Sequence, residues 1–384
     1  MTRDAVGTRA GGGVGAAPAG AALIGAAPLG VAPTGAALTG VAPAGPPGHP
    51  PVPVPDRVAP ESVQVRTTDA QGMPEFVQVR TTVGQGTPEP PRVPAARPGT
   101  PGAPDGGPLR FAVLGDSFSE GVGDRVGGAW RGWAALLADG LTDGGRETAL
   151  LNLAVSGALS ADVADGQAPA ALAFRPHLAS VVVGVNDTLR HGFDIALLAR
   201  RLDRVCADLD ALGAVLLTAC LPDPGRMLGL PPPLARPLAR RQRSVNAVVH
   251  AVSARYGAVH LHLADPAWTE DRALWSADRL HPGERGHRAV AAGFHRLLAA
   301  RALAHGTPPS EEPSQPPPTR AEALHWLATA GTGWVLRRSR DLLPQLLLLA
   351  GAELRHWADG TGAAPLDARA DDALTAALAA TMGG

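Results

Sequence analysis

Five short apolar runs, most of them followed by a stripe of helical period, constrain this chain more than any other feature. They are Phe111–Leu114, Ala149–Leu153, Leu178–Val183, Ala214–Ala219 and Val259–Leu263. Runs of this length that end at glycine or a turn fit strands buried on both faces. Between them, Trp130, Trp133, Ala134 and Leu137 repeat at helical spacing. Asp194 caps a stripe of Leu198, Leu202, Val205, Leu209 and Leu212 that Gly213 ends, and Gly257 ends a second stripe of Leu238, Val245, Val249, Val252 and Tyr256. A last helix is expected from Glu284 to about His305. Strands alternating with helices predict an α/β domain whose parallel five-stranded sheet is covered on both faces, spanning residues 108–306.

The flanks differ in composition. Residues 1–107 carry a five-residue Gly-Ala-Ala-Pro-like cycle from Gly15. Glycine and proline at that density bury too little apolar area to offset the ordering entropy, so the region is read as disordered. Within it, Val63–Thr68 and Val77–Thr82 repeat the hexapeptide Val-Gln-Val-Arg-Thr-Thr and alternate like two strands. Such a pair folds only against a partner. Residues 307–319 read as a proline-rich linker and 320–384 as a helical extension, whose apolar stretch Leu342–Ala352 follows Arg337, Arg338 and Arg340. Its 11 residues fall short of a bilayer span, which takes about 20. A helix packed on the domain is the expectation, and a peripheral membrane contact the minority reading.

The formal charge of −1 carries no basic excess, which argues against a nucleic-acid partner. All 34 basic residues are arginine, so P-loop, Schiff-base and Ser-Lys chemistry are excluded. Glycine and proline interrupt the segment after Arg3 and Arg9, which favours a cytoplasmic protein, with secretion as the alternative. The two cysteines, Cys206 and Cys220, imply no disulfide framework.

The candidate chemistry lies where strands end. Gly115-Asp116-Ser117 follows the first strand and sets a serine at the carboxyl edge of the sheet, where open α/β sheets bind ligands. Ser119 replaces the last glycine of a Gly-x-Ser-x-Gly elbow, so this is not that motif. Gly157 follows the second strand, and Gly184-Val185-Asn186-Asp187 follows the third. The N–H groups of Ser117 and Gly157 and the Asn186 amide would suffice to hold an oxyanion. Asp278 and His281, three apart before the last helix, offer a base with its orienting carboxylate. His260 and His262 alternate on the fifth strand and are read as structural, because no cysteine or carboxylate at ligand spacing joins them. His287, on the last helix, is read as surface or packing, and Asp187 as shaping its turn.

Together, Gly115-Asp116-Ser117, Gly157, Gly184-Val185-Asn186-Asp187 and Asp278-Arg279-Leu280-His281 resemble the four blocks of the SGNH/GDSL hydrolase family. The resemblance covers about Leu109 to His305, with Phe118 where the name-giving pattern has leucine. It implies a flavodoxin-like three-layer α/β/α domain of strand order 2-1-3-4-5, with Ser117 as nucleophile, His281 as base and Asp278 as its orienter. It further implies an oxyanion hole of Ser117, Gly157 and Asn186, a loop-bonding role for Asp116, and no cofactor or metal. The expected activity is serine ester hydrolysis of a small-molecule ester through an acyl-enzyme. An acyltransferase on the same residues and a non-catalytic scaffold are the alternatives.

Overall fold

The computed structural model describes residues 63–68, 74–79, 107–143, 146–314 and 332–382. Its strands are β1 (Val63–Thr68), β2 (Pro74–Val79), β3 (Leu109–Gly115), the two-residue ribbon β4 (Arg125–Val126) and β5 (Ala129–Trp130), then β6 (Thr148–Asn152), β7 (Leu178–Val182), β8 (Val215–Cys220) and β9 (Val259–His262). The helices of the domain are α1 (Ser117–Glu120), α2 (Gly132–Leu141), α3 (Ser160–Asp162), α4 (Ala168–Phe174), α5 (Val185–Thr188), α6 (Ile195–Asp210), α7 (Pro224–Met227), α8 (Pro232–Arg255), α9 (Pro266–Thr269) and α10 (Glu284–Ala299). The five parallel strands lie in the order β6-β3-β7-β8-β9. That order is 2-1-3-4-5, and the sheet is flanked by helices on both faces as expected.

Alternation along β3 explains the three layers. Ala112 and Leu114 face one apolar cluster with Leu198, Leu202 and Val245 of α6 and α8, whereas Phe111 and Val113 face another with Trp133, Leu137 and Phe294 of α2 and α10. Side chains two apart share a face, so a strand that is apolar at every position can only be covered twice. The α6 cap is as read, with the Asp194 carboxylate accepting from Leu197 N at 3.0 Å. The closing helix stops at Ala299, six residues before His305, because the chain reverses at Ala302 (φ 56). Trp130 lies outside α2, in the ribbon.

Two strands precede the domain. β1 runs antiparallel to β6, pairing Gln64 with Asn152 and Val65 with Leu151, and β2 runs antiparallel to β1. The hexapeptide repeats therefore do not pair with each other in full: β2 begins at Pro74, three residues before Val77. The partner such a pair requires is the open edge of β6, which makes the sheet seven-stranded. Apart from these strands, the expected disorder over 1–107 lies outside the described residues up to Gly107.

The C-terminal residues form two helices, Thr332–Ala358 and Ala363–Met382. Leu349 packs with Leu189 and Leu238, and Ala377 joins the cluster on the α6 and α8 face. Buried Glu353 pairs with Arg240 of α8, Asp367 lies 3.2 Å from Arg243, and the Arg236 guanidinium sits 4.8 Å from the Trp357 ring centroid. Among the described residues, no helix is long and apolar enough to cross a membrane. Leu347, Leu348 and Leu354 of the first of these helices are exposed.

Candidate active site

Ser117 is placed by a strand end that tolerates only glycine before it. Gly115 has φ +153, and a Cβ there would fall 2.3 Å from the Val182 carbonyl oxygen of β7. The buried Gln167 amide clamps the same residue, accepting from Gly115 N at 2.7 Å and donating to Gly115 O at 2.9 Å. Asp116 then caps α1, its Oδ1 accepting from Phe118 N at 3.0 Å. This is the loop-bonding role expected of it. Ser117 opens the helix, where an N–H has no intrahelical acceptor.

The facing loop, between α9 and α10, is built around one carboxylate. Asp278 Oδ1 accepts from Ser276 Oγ at 2.7 Å, Leu280 N at 2.9 Å and His281 N at 3.0 Å. Arg279 takes the left-handed conformation (φ 58), which folds the turn so that these donors converge. Asp278 Oδ2 remains for His281 Nδ1, at 2.8 Å. His281 Nε2 in turn lies 2.7 Å from Ser117 Oγ. With the carboxylate at Nδ1, the imidazole proton sits there, and Nε2 accepts from the serine hydroxyl. Burial opposes the charge on Asp278, but hydrogen bonds from His281 and Ser276 outweigh it and hold the carboxyl well below the usual range.

Two further donors converge on the edge. Gly157, at φ 87, turns the chain out of β6 toward α3. Among the described residues, its N–H and that of Ser117 meet no backbone acceptor. Asn186 is buried at the start of α5, and its Nδ2 donates to Asp116 Oδ2 at 3.0 Å and to the Ala158 carbonyl at 3.2 Å. Asp187 does more than shape its own turn. Its carboxylate accepts from Ser160 N at 3.0 Å and Ser160 Oγ at 2.6 Å, which fixes the helix that follows Gly157. Burial pushes its carboxyl up against those hydrogen bonds.

Several supporting residues were not singled out from the sequence. Gln167 is one. Arg131 is another, joining Asp124 at 2.9 Å to Glu284 at 3.0 Å and so tying the loop after α1 to the start of α10, three residues past His281. Ser156 donates to Glu120 next to Gly157, and burial raises that carboxyl. Each link spans elements distant in sequence, and no local pattern marks it. Beside Ser117 and His281 lies a cavity of about 50 Å³ with an apolar wall of Leu189, Leu221, Pro222, Met227, Trp275 and Leu280.

The other histidines singled out from the sequence fall into two different settings. His287 is fully buried as packing, its Nδ1 accepting from Trp133 N at 3.2 Å and its Nε2 donating to Val122 O at 3.0 Å. His260 and His262, by contrast, are joined by Cys220 and His250, all four offering ligand atoms within 4.8 Å of one another. The expectation that no cysteine accompanies them fails because β8 pairs in parallel with β9, setting Cys220 beside His262 and Thr218 beside His260 on one face.

Residues 113–289 match the model of the GDSL-like Lipase/Acylhydrolase family. No curated protein matches the chain. Among solved structures, the chain is similar to Axe2, an acetylxylan esterase from Geobacillus stearothermophilus, at 18% identity and a TM-score of 0.42 over 50% of this chain and 95% of that one. TesA is similar at 25% identity and 0.40 over 50% and 98%. The psychrotrophic esterase EstA from Pseudoalteromonas sp. is similar at 18% and 0.41 over 50% and 98%. Over residues 113–289, which hold Ser117, Gly157, Asn186, Asp278 and His281, the chain is similar to the GDSL-like Lipase/Acylhydrolase family, and it is an ester hydrolase.

Proposed function

We propose that this hydrolase works through an acyl-enzyme on Ser117, with His281 as general base and then acid and Asp278 as the residue that orients it. The observation that carries this reading is the unbroken relay from Ser117 Oγ to His281 Nε2 at 2.7 Å and from His281 Nδ1 to Asp278 Oδ2 at 2.8 Å. Ser117 Oγ attacks the ester carbonyl as its proton passes to Nε2, and the imidazolium formed is stabilised by the carboxylate. The tetrahedral oxyanion is held by the N–H groups of Ser117 and Gly157 and by the Asn186 amide. The amide hydrogen directed at Ala158 O, the longer of its two contacts, turns to the oxyanion. His281 then protonates the departing alkoxide, and a water deprotonated by the same nitrogen releases the acid.

The cavity supports a short acyl group. Its volume of about 50 Å³ is a few times the minimum for one water, roughly 10–15 Å³ on the same measure, and its wall is apolar. A small-molecule ester with an acyl chain of few carbons fits that space. A fluorophosphonate probe with Ser117→Ala as control, followed by nitrophenyl esters of increasing acyl length, tests both parts. Labelling lost in Ser117→Ala and turnover that falls as the acyl chain lengthens are expected. Labelling that persists in the folded variant refutes the nucleophile, and turnover that rises with chain length refutes the short-acyl reading.

A further inference from the structure

The cluster on the β9 side of the sheet has the chemistry of a metal site. His260 and His262 project from the edge strand β9 on the face that α8 covers, whereas Val259, Leu261 and Leu263 face the opposite cluster. Cys220, buried at the end of β8, stands beside His262 in register, with its Sγ 3.9 Å from His262 Nδ1. His250 on α8 closes the group, its ring centroid 4.7 Å from that of His260 and 5.3 Å from that of His262.

His260 is the residue that points most directly to a cation ligand set. Its Nε2 is sealed from solvent and has no hydrogen-bond partner. The other nitrogen, Nδ1, lies 2.9 Å from Thr218 Oγ1 and 3.2 Å from Ser253 Oγ. Ser253 spends its hydroxyl proton on the Val249 carbonyl, and Thr218 lies 2.7 Å from Ser253 Oγ, to which it can donate. The arrangement that satisfies every one of these contacts has Ser253 donating to Val249 O, Thr218 donating to Ser253 Oγ, and His260 Nδ1 donating to Thr218 Oγ1. In that arrangement Nε2 carries a buried lone pair without a hydrogen-bond partner, on a ring grouped with Cys220, His250 and His262. A hydrogen bond that fixes one ring nitrogen and leaves the other as a ligand is how metal-bound histidines are commonly oriented.

We propose that Cys220, His250, His260 and His262 bind one divalent transition-metal ion, best matched by Zn²⁺. One thiol and three imidazoles without a carboxylate exclude Ca²⁺ and Mg²⁺, which take oxygen ligands. Ligand atoms around a tetrahedral zinc sit roughly 3.3–3.6 Å apart, from bonds of about 2.0–2.3 Å. The ligand atoms here, within 4.8 Å of one another, close by about that difference when the exposed His250 and His262 rotate. Binding replaces the Cys220 thiol proton, which leaves to solvent, by the metal. The ion is structural: it joins the ends of β8 and β9 to α8, immediately before Leu221 and Pro222 of the cavity wall, and takes no part in the hydrolytic step.

The test uses the untagged full chain, stripped with chelator and titrated with Co²⁺ and Zn²⁺. One equivalent of Co²⁺ should bind and give a thiolate-to-cobalt charge-transfer absorption, and Zn²⁺ should raise the melting temperature. Cys220→Ser should abolish that absorption, and His250→Ala, on an exposed helix surface where folding is not at risk, should weaken binding at least tenfold. Binding that is unchanged in His250→Ala, an absorption that survives Cys220→Ser, or a wild-type melting temperature indifferent to Zn²⁺ overturns the site.

Discussion

Asn186 donates to Asp116 Oδ2 and to Ala158 O, so its amide is held in place, and the proposed mechanism requires one of these hydrogens to turn to the oxyanion. Asn186→Ala should lower kcat roughly 100- to 1000-fold, or about 3–4 kcal/mol, with little change in KM. Asp187→Ala, which frees Ser160, should cost more in melting temperature than in kcat. Steady-state kinetics and thermal melts on both variants check this, and near-normal turnover in a folded Asn186→Ala would remove the amide from the oxyanion hole. His287 makes a separate prediction about pH. Complete burial pushes its pKa down to about 4, and its Nδ1 must stay unprotonated to accept from Trp133 N. The folded state therefore binds this proton less readily than the unfolded one. The stabilisation is full above the ordinary value of 6.5 and is lost as pH falls from there toward about 4, a difference on the order of 3 kcal/mol. Unfolding midpoints measured across that window should fall with acidification, less steeply in His287→Gln, and a variant with the wild-type slope would show that His287 is not the source.

At the scale of elements, the site depends on strand ends held in register. β3 delivers Ser117 only because Gly115 lets the backbone pass Val182 O and because Gln167 clamps both polar groups of that residue. Gly115→Ala should destabilise by on the order of 3 kcal/mol or more, since a Cβ at 2.3 Å from a backbone oxygen forces β3 and β7 apart. Denaturant unfolding measures the loss, and an alanine variant of wild-type stability would mean that the strand end relaxes freely. The tail helices illustrate a different dependence. Glu353 is 2% exposed and faces Arg240, so its carboxylate and the guanidinium are both removed from water. Breaking such a pair from one side costs roughly 3–5 kcal/mol, whereas replacing both partners by apolar groups costs far less. Glu353→Ala should therefore lower the melting temperature more than the double variant Glu353→Leu, Arg240→Met, and the reverse order would show that the pair is not buried in solution.

For the whole molecule, catalysis and covering surfaces are separable. The carboxyl edge of β6, β3 and β7 with the Asp278–His281 loop contains every proposed catalytic group, while β1 and β2 lie along the far edge of β6 and the last helices lie along α6 and α8. Removing residues 1–56 should leave both melting temperature and small-ester turnover unchanged. Removing 1–105 uncovers the β6 edge, so the melting temperature should drop while kcat on a short ester stays within about threefold, because the backbone that carries Ser117 keeps its own neighbours. Loss of turnover in a folded 1–105 deletion would instead tie β1 to the site.

The amino-acid sequence by itself determined the alternation of strands and helices, the strand order through its family resemblance, and the residues at the strand ends. The reason is that each of these is written locally. Period-two and period-3.6 apolar spacing, a glycine after a strand, and a carboxylate three residues before a histidine all act within one turn or one loop. The Asp278–His281 bond at 2.8 Å is such a local consequence. Contacts between elements were decided by tertiary structure alone. The parallel register of β8 and β9 brings Cys220 to His262 across 42 residues, α8 adds His250, and Gln167 reaches back 52 residues to Gly115. The edge of β6 supplies β1 with the partner that its own composition could not. Pairing across such separations is selected by which faces can be buried together, and no short stretch of sequence carries that choice.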